Sequence, residues 1–409
     1  MDIKNILPVS NRDDYQLDSF LSFLKAIKFE YNVPSIHIAG TNGKGSTANY
    51  LYNIYRENGY KVGLFSSPAF KDTNDMICCN GENITDEQII AIVDQYRKEI
   101  EKYNLSLYEV ITFVALYFFN KSGLDLAVIE CCMGGELDAT NVFVPLISVI
   151  TSVSIEHTKF LGPSINSIAT HKAGIIKNGS PVIIGNLVEE AEMVISNVAH
   201  DENSQVIKIS PASNIRHNPT FTEFSYMTYI DVKIPYVAEY EIDNCCIALE
   251  VVNKLNAKYK TNEELTKKGI QKSNICARFE IVHDKPIVIC DGAHNPEAIN
   301  SLINSVEKVY GNEKIHIVFA SFTDKNISIM LPSLSRLSND ITLTSFDNIR
   351  CRKDEDYFLF LEEYKYESDY KKVIQGYMQE FPDDLILVTG SLAFAFQVSN
   401  DFRKGNLKW

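Results

Sequence analysis

The sequence lacks an apolar run long enough to span a bilayer, and it lacks the basic and then apolar pattern of a secretory signal near its N-terminus. The longest apolar runs, such as residues 111–119, are shorter than the roughly 20 residues that a transmembrane helix needs. These absences argue against a membrane protein and against a secreted one. We therefore expect a cytoplasmic protein that has no membrane partner.

Metal-binding cysteine patterns are also missing. The chain has nine cysteines, and three pairs of them are adjacent, but none is spaced as C-x-x-C or as a set of zinc ligands. Reduced, buried thiols agree with a cytoplasmic location. No internal repeat or low-complexity tract interrupts the composition of a globular protein.

Positive charge is scarce in this chain. Lysine and arginine number 39 against 53 aspartates and glutamates, which gives a formal net charge of −14. This balance argues against a nucleic-acid-binding protein and favours small-molecule chemistry, in which an anionic substrate needs local basic groups such as Lys44. At 409 residues the chain is long enough for two domains, each with its own core.

Strand and helix patterns alternate along most of the chain, which predicts an α/β fold with a parallel sheet covered by helices on both faces. Residues 221–240 instead alternate aromatic or β-branched residues with polar ones, as in a small antiparallel addition. The α/β alternation then restarts near residue 287. We predict a first domain over 1–274 that includes the addition, a linker over 275–286 and a smaller second domain over 287–409.

Residues 35–47 form an apolar strand pattern that breaks into three glycines around Lys44 and then becomes helical. Glycines let the backbone approach an anion, while successive N–H groups, the helix N-terminus and the lysine supply positive potential. The segment therefore predicts a site for the phosphates of a nucleoside triphosphate. Only two residues separate the first glycine from Gly-Lys, unlike the four of a standard P-loop, so an ordinary glycine-rich turn is the alternative.

Polar residues follow three of the predicted strands. Ser67 and Glu130 end two strand patterns, and Glu156-His157 follow a third. Because ligands bind beyond the carboxyl ends of parallel strands, these groups are expected near Lys44, where they would hold Mg²⁺ against the phosphates, although imidazole is an unusual ligand for that ion. Taken singly, the alternatives are a turn residue, a charge at a loop and a surface histidine.

Two further segments have the character of ligand-binding loops. Residues 134–141 are rich in turn-forming residues between two buried strand patterns, where loops commonly contact the substrate. Residues 291–296 combine a strand end, a glycine turn and a helix start, with Arg278 shortly before them. We expect the two domains to share a site. The alternatives are a helix-capping carboxylate at Asp291 and a surface ion pair at Arg278.

Several short motifs together resemble the folylpolyglutamate synthase and dihydrofolate synthase family, a branch of the Mur ligases. They occur in the family's order over nearly the whole chain. The motifs are Gly-Thr-Asn-Gly-Lys-Gly-Ser at 40–46, Leu-Asp-Ala-Thr-Asn at 137–141, the stretch 157–175, Ala-Arg-Phe-Glu at 277–280, Asp-Gly-Ala-His-Asn-Pro at 291–296 and Thr-Gly-Ser-Leu at 389–392.

The resemblance implies an ATP-dependent ligase of folate biosynthesis. ATP phosphorylates a carboxylate of dihydropteroate or a (tetrahydro)folate, and the amino group of L-glutamate attacks the resulting acyl phosphate. It also implies a Mur-ligase central-domain-like P-loop domain followed by a Rossmann-like glutamate-ligase domain. The implied cofactors are ATP and Mg²⁺ at two sites, with no nucleic-acid partner. We expect a monomer.

The resemblance also implies roles for individual residues of this sequence. ATP is bound by Thr41, Asn42, Gly43, Lys44, Gly45, Ser46, Thr47, Asn244, Arg278 and Asp291. The metals are held by Ser67, Glu130 and His157; the catalytic residues are Lys44, His157 and Lys172, the last as a possible carbamate; and the substrates are contacted by Asp138, His294 and Ser391.

Among the departures from the family's pattern, four change the charge of the side chain. Ala69 and Met76 replace a histidine and an arginine, Glu136 replaces an arginine, and His171 replaces a glutamate. Because the changes lie near the expected acceptor, a Mur-type ligase with the same ATP chemistry and a non-folate acceptor carboxylate is the first alternative. A P-loop regulatory ATPase without ligase activity is the second.

Overall fold

The computed structural model describes residues 16–69, 72–273 and 275–407. They form two compact units. Unit 1 comprises the described residues up to 213 together with 225–232 and 243–273, and unit 2 comprises 214–224, 233–242 and 275–407. Residues 233–242 contribute Val237 and Ala238 to the buried core of unit 2. The predicted linker 275–286 contains a strand of the unit 2 sheet.

Strands and helices alternate over most of the chain up to residue 208. In chain order they are α1 (Asp18–Ala26), β1 (Ser35–Ala39), α2 (Lys44–Glu57), β2 (Val62–Phe65), β3 (Ile77–Cys79), β4 (Glu82–Asn83), α3 (Asp86–Lys102), α4 (Leu107–Lys121), β5 (Leu126–Glu130), β6 (Ile147–Ile150), α5 (Thr158–Leu161), α6 (Ile165–Ala173), β7 (Val182–Ile184), α7 (Glu189–Asp201) and β8 (Val206–Lys208). The exceptions to the alternation are at β2 to β4, α3–α4 and α5–α6.

The remaining elements complete both units. They are β9 (Ser213–His217), β10 (Thr222–Tyr226), β11 (Tyr229–Ile234), α8 (Glu239–Leu255), α9 (Glu263–Gln271), β12 (Glu280–Asp284), β13 (Ile287–Cys290), α10 (Pro296–Tyr310), β14 (Ile315–Phe319), α11 (Ile327–Leu334), β15 (Ile341–Ser345), β16 (Lys365–Asp369), α12 (Tyr370–Glu380), β17 (Leu385–Thr389) and α13 (Leu392–Arg403), with short 3-10 helices at Thr73–Met76 and Asp354–Phe360.

Unit 1 is built on an eight-stranded sheet in the order β4-β3-β2-β5-β1-β6-β7-β8. The six strands from β2 to β8 in this order are parallel, and β3 and β4 add an antiparallel edge that the sequence did not indicate. Strand β1 lies between β5 and β6, and all five of its residues are buried. Its carboxyl end therefore opens onto the middle of the sheet edge where ligands of parallel sheets bind.

Local sequence signals explain how the helices of unit 1 begin and pack. Helix α3 starts at a capping box, in which the Thr85 hydroxyl accepts the Gln88 N–H at 3.3 Å and the Gln88 side chain accepts the Thr85 N–H at 2.9 Å. Helix α1 buries Phe20, Phe23 and Leu24 on one face, as its helical spacing predicts. These side chains join the core that also contains the apolar face of α4.

Unit 2 has a six-stranded sheet in the order β12-β13-β17-β14-β15-β16, parallel except for β12. Alternate residues of β13 enter different cores: Ile289 packs with residues of α10 and α11, whereas Val288 and Cys290 pack with residues of α12 and α13. Because successive strand side chains point to opposite faces, both faces of this sheet are covered by helices. The predicted two-domain α/β fold class is confirmed.

A third sheet has three strands in the order β11-β10-β9. Only two residues join β10 to β11, a connection that antiparallel strands alone permit. Over the described residues, the structure contains no helix that is both long enough and apolar enough to cross a membrane.

Candidate active site

The glycine-rich segment after β1 is shaped by two positive backbone angles. Gly40 has φ +156° and Gly43, which immediately precedes α2, has φ +85°. A Cβ on Gly40 would overlap the Thr151 hydroxyl, and one on Gly43 would overlap the side-chain oxygen of Asn244. Glycine is therefore required at both positions. The same contact places Asn244, a predicted nucleotide-binding residue, against the glycine-rich turn of residues 40–47, which we call the cradle.

The cradle is held in shape by the residues that follow β6. The Thr41 N–H donates to the Ser152 carbonyl at 2.9 Å, and the Asn42 N–H donates to the Ser152 hydroxyl at 2.8 Å. In return the Thr151 hydroxyl donates to the Asn42 carbonyl at 2.6 Å. The turn is thus fixed before any anion binds, so binding requires little reorganisation of the loop.

The start of α2 is a region of positive electrostatic potential. The Lys44 ammonium donates to the carbonyls of Gly40 at 3.0 Å and Thr41 at 3.2 Å, so the charge lies over the cradle. Ser46 and Thr47 are buried in the first turn, and the Thr47 hydroxyl donates to the Asn244 carbonyl at 3.5 Å. The N-terminus of this 14-residue helix adds its own positive potential, which favours a phosphate.

The structure brings Glu130 and Ser67 together beside the cradle. Glu130 is the last residue of β5 and is buried, and its Oε2 accepts the Ser67 N–H at 3.2 Å. Its two carboxylate oxygens lie 3.6 and 3.8 Å from the position that a Cβ on Gly45 would take. A buried carboxylate and a hydroxyl-bearing residue next to a phosphate cradle are oxygen donors that suit Mg²⁺.

His157, the third predicted metal ligand, and Lys172, predicted as a catalytic residue and possible carbamate, both follow β6 in the sequence. His157 is exposed and starts α5 with φ +51°, a left-handed conformation that is uncommon outside glycine. Lys172 is buried in the last turn of α6. No cluster of three His, Cys, Asp or Glu side chains suited to a metal occurs in the described ranges 16–69, 72–273 and 275–407. Shared metal ligation by His157 and Lys172 stays a prediction.

Asp138, predicted to contact substrate, is buried and accepts five hydrogen bonds within the protein. Its donors are the N–H groups of Cys132, Met133 and Thr140 and the hydroxyls of Tyr108 and Thr140. Burial raises the pKa of the carboxyl, and the hydrogen bonds from Thr140, Met133 and Cys132 oppose that rise. The contacts favour a role in organising the loop, while direct substrate contact stays a prediction.

A buried hydrogen-bond chain that the sequence did not indicate leads to Asp138. The Thr140 hydroxyl donates to Asp138 Oδ1 at 2.6 Å, so its oxygen accepts from His37 Nε2–H at 2.8 Å. Burial lowers the pKa of His37 to about 3, which keeps the imidazole neutral. The sequence signal was His37 itself, a titratable residue within the apolar pattern of β1, but its partner Thr140 lies 103 residues away.

In unit 2, Arg278 lies between two strained residues. Ala277 has φ +58° and Phe279 has φ +48°, both uncommon for residues with a side chain. The buried Asp291 carboxylate accepts the Phe279 N–H at 2.8 Å and the Tyr240 hydroxyl at 2.5 Å. These contacts hold the arginine-bearing turn in place, and the sequence did not identify Tyr240.

His294 and Ser391 occupy neighbouring turns of unit 2. The Gly390 N–H donates to the Ala293 carbonyl at 3.0 Å, which joins the turn before α10 to the turn before α13. His294 Nδ1 lies 2.8 Å from the Gly292 carbonyl and therefore carries a proton. Ser391 precedes α13, and its buried hydroxyl has no hydrogen-bond partner within the part of the chain that the structure describes. An anion at this helix N-terminus would supply one.

Comparison with known families and proteins identifies relatives along nearly the whole chain. Residues 38–252 match the Mur ligase middle domain, and residues 277–392 match the Mur ligase, glutamate ligase domain. The chain is 32% identical to the folylpolyglutamate synthase of Lacticaseibacillus casei, over 89% of this chain and 88% of the relative. It is also 32% identical to the dihydrofolate synthase/folylpolyglutamate synthase of Bacillus subtilis, over 92% of this chain and 91% of the relative. A solved FPGS-AMPPCP-folate complex gives a TM-score of 0.83 at 28% identity and covers 98% of this chain and 97% of the solved one.

Proposed function

The chain belongs to the folylpolyglutamate synthase and dihydrofolate synthase family of Mur ligases, and we propose that it uses ATP to join L-glutamate to dihydropteroate or a (tetrahydro)folate. The observation that carries the proposal is the preformed glycine cradle, with Lys44 over it and the buried Glu130 carboxylate beside it. A similar solved structure holds both the ATP analogue AMPPCP and folate.

The chemistry follows from what these groups do to a triphosphate. The cradle N–H groups and Lys44 hold the phosphate chain, and the terminal phosphoryl group passes to a carboxylate oxygen of the acceptor, which gives an acyl phosphate and ADP. The amino nitrogen of L-glutamate then attacks the carbonyl carbon, the bond from that carbon to the phosphate oxygen breaks, and the nitrogen loses a proton to solvent as the amide forms and phosphate leaves. The protein contributes mainly position and charge neutralisation to such a transfer.

Glu130 and Ser67 would hold Mg²⁺ with oxygen ligands beside the phosphates, and the buried carboxylate next to Gly45 fits that ion. When bound, Mg²⁺ neutralises developing phosphate charge. We assign His157 and Lys172 to a second metal, with Lys172 acting as a carbamate if it is modified. The carbamate would replace a buried cation by an anion that has two oxygen donors.

We assign the ATP contacts of unit 2 to Arg278 and Asp291, and the L-glutamate contacts to His294 and Ser391. The strained turn supports the first assignment, because strain is retained where it positions a functional group. The buried Ser391 hydroxyl at the start of α13 supports the second, because a carboxylate of glutamate would accept both its hydrogen and the free N–H groups of the helix.

Purified protein tests the proposal through ADP release. With ATP, Mg²⁺ and L-glutamate present, we expect ADP formation to depend on dihydropteroate or a reduced folate and to stop in Lys44→Ala. Release with another carboxylic acid only, in a phosphate-release screen of acceptors, would support the non-folate alternative. No glutamate-dependent release with dihydropteroate or any folate would overturn the folate assignment.

We also propose a cytoplasmic monomer that binds neither nucleic acid nor membrane. The acidic net charge of −14 supports the absence of nucleic-acid binding. Size-exclusion chromatography with light scattering tests the monomer, for which a mass near 46.3 kDa is expected. A mass near twice that value would contradict it.

A further inference from the structure

The loop of residues 134–141 lies directly on the last turn of α6, which carries Lys172. A Cβ on Gly135 would come within 2.8 Å of the His171 carbonyl and 2.9 Å of the Lys172 carbonyl. A Cβ on Gly174, which caps α6, would overlap Glu136. With a glycine on each side, the two backbones are in direct contact, so the position of the loop and that of the helical turn depend on each other.

Glu136 is attached to this turn at three points. Its N–H donates to the His171 carbonyl at 2.7 Å, and its Oε2 lies 3.3 Å from His171 Nδ1. Its carbonyl accepts the Asn141 side-chain amide at 2.9 Å, and the same amide donates to the Gly174 carbonyl at 3.1 Å. Glu136 and His171 are therefore joined by a backbone hydrogen bond, and their side chains approach each other to 3.3 Å.

The loop also leads back to the candidate magnesium site. Asp138 accepts the N–H groups of Cys132 and Met133, which lie two and three residues after Glu130. The last turn of α6, the loop and the end of β5 are thus joined by consecutive hydrogen bonds. A shift of Glu136 would move the helical turn of Lys172 relative to Glu130.

We propose that Glu136 and His171 form one positioning pair, which holds the turn of Lys172 in register with Glu130. The backbone hydrogen bond, the approach of the two side chains and the glycine contacts at 135 and 174 place both residues at the one point where the loop meets the helix. Because its carboxylate faces His171, Glu136 does not by itself indicate a changed acceptor. The inference rests on the proposed ligase function.

Variants that exchange which of the two positions carries the acidic side chain test the pair. The variants are Glu136→Arg, His171→Glu and the double variant, with Glu136→Gln as the conservative change. We expect each polar reversal to lower kcat about fivefold or more with little change in the KM for ATP, and the double variant to recover to within about twofold of the parent. Glu136→Gln, which keeps the shape and a polar contact, should also stay within about twofold.

A matched control comes from an ion pair of similar exposure away from the site. Lys267 and Glu263 pair at 2.7 Å on α9, and their side chains are 17% and 49% exposed against 23% and 52% for His171 and Glu136. Reversal of that pair, singly or together, should leave kcat unchanged. An equal loss there would show that kcat reports general destabilisation, which would overturn a positioning role for Glu136 and His171.

Amide hydrogen exchange on the same variants gives a measurement that does not need catalysis. We expect faster exchange in residues 134–141 and 168–174 for each single reversal and parental exchange in the double variant. If the effects of the two reversals on exchange or on kcat were additive, Glu136 and His171 would act independently, and the proposal would be overturned. If the double variant recovered parental exchange but the parent protein had no ligase activity, the proposed function would fail while the pair stood.

Discussion

His37 is predicted to make unit 1 less stable as the pH falls below about 6.5. It is fully buried in β1, and this burial lowers the pKa of its imidazole from 6.5 to about 3. Between these two values the unfolded chain binds one proton more than the folded chain, so the free energy of unfolding falls as the pH falls. The slope is about 1.4 kcal/mol per pH unit, and the loss by pH 5 is about 2 kcal/mol.

Urea unfolding of the parent and of His37→Gln at pH 7 and pH 5 measures this loss of unfolding free energy. Glutamine does not titrate, and its amide can donate to Thr140 as the imidazole does. The difference in unfolding free energy between the two proteins should therefore move by about 2 kcal/mol in favour of the variant at pH 5. His200→Gln is the control, because that side chain is 90% exposed and should give no such change. A parent-to-variant difference that is the same at both pH values would refute the reasoning.

Three further predictions concern the cradle, the metal and the turn of unit 2. Gly43→Ala should raise the KM for ATP about tenfold or more, whereas Gly59→Ala, which has a similar φ of +89° but no atom within 4 Å, should cost only about 1 kcal/mol of stability. Glu130→Gln should raise the Mg²⁺ concentration for half-maximal activity about tenfold or more, and an unchanged Mg²⁺ titration would contradict its role. Tyr240→Phe should destabilise unit 2 by about 1.5–3 kcal/mol in urea unfolding, because the buried Asp291 carboxylate loses a donor; a change below about 0.5 kcal/mol would contradict this.

The fold was largely predictable because its signals are local. The capping box at Thr85, the proline at the start of α10 and the buried strand patterns all depend on neighbouring residues, and the predicted fold class is confirmed. The antiparallel edge β3–β4 was not predictable, since a strand as short as Ile77–Cys79 has too few residues to show a period. Residues 233–242 belong to unit 2 through packing of Val237 and Ala238, which no local pattern reveals.

The candidate site, like the fold, was predictable from the sequence only in part. Strand-end reasoning predicted Glu130 and Ser67 as metal ligands; the structure places the two residues in contact, and their metal role stays a prediction. The family and ligase class are confirmed by the relatives. The partners of the buried carboxylates were not predictable. His37 reaches the Asp138 loop through Thr140 across 103 residues, and Tyr240 reaches its carboxylate across 51. Such contacts are set by tertiary packing, so the sequence identifies the functional groups more readily than the residues that hold them.

The central claim is that this chain activates an acceptor carboxylate with the terminal phosphate of ATP. An acceptor labelled with ¹⁸O in the reacting carboxylate tests it directly, because an acyl phosphate passes one carboxylate oxygen to the phosphate that leaves. Mass spectrometry of the phosphate released in the presence of L-glutamate should find one ¹⁸O per phosphate and one fewer in the amide product. Phosphate without label, formed at the same rate without glutamate or acceptor, would contradict the claim and identify a simple ATPase.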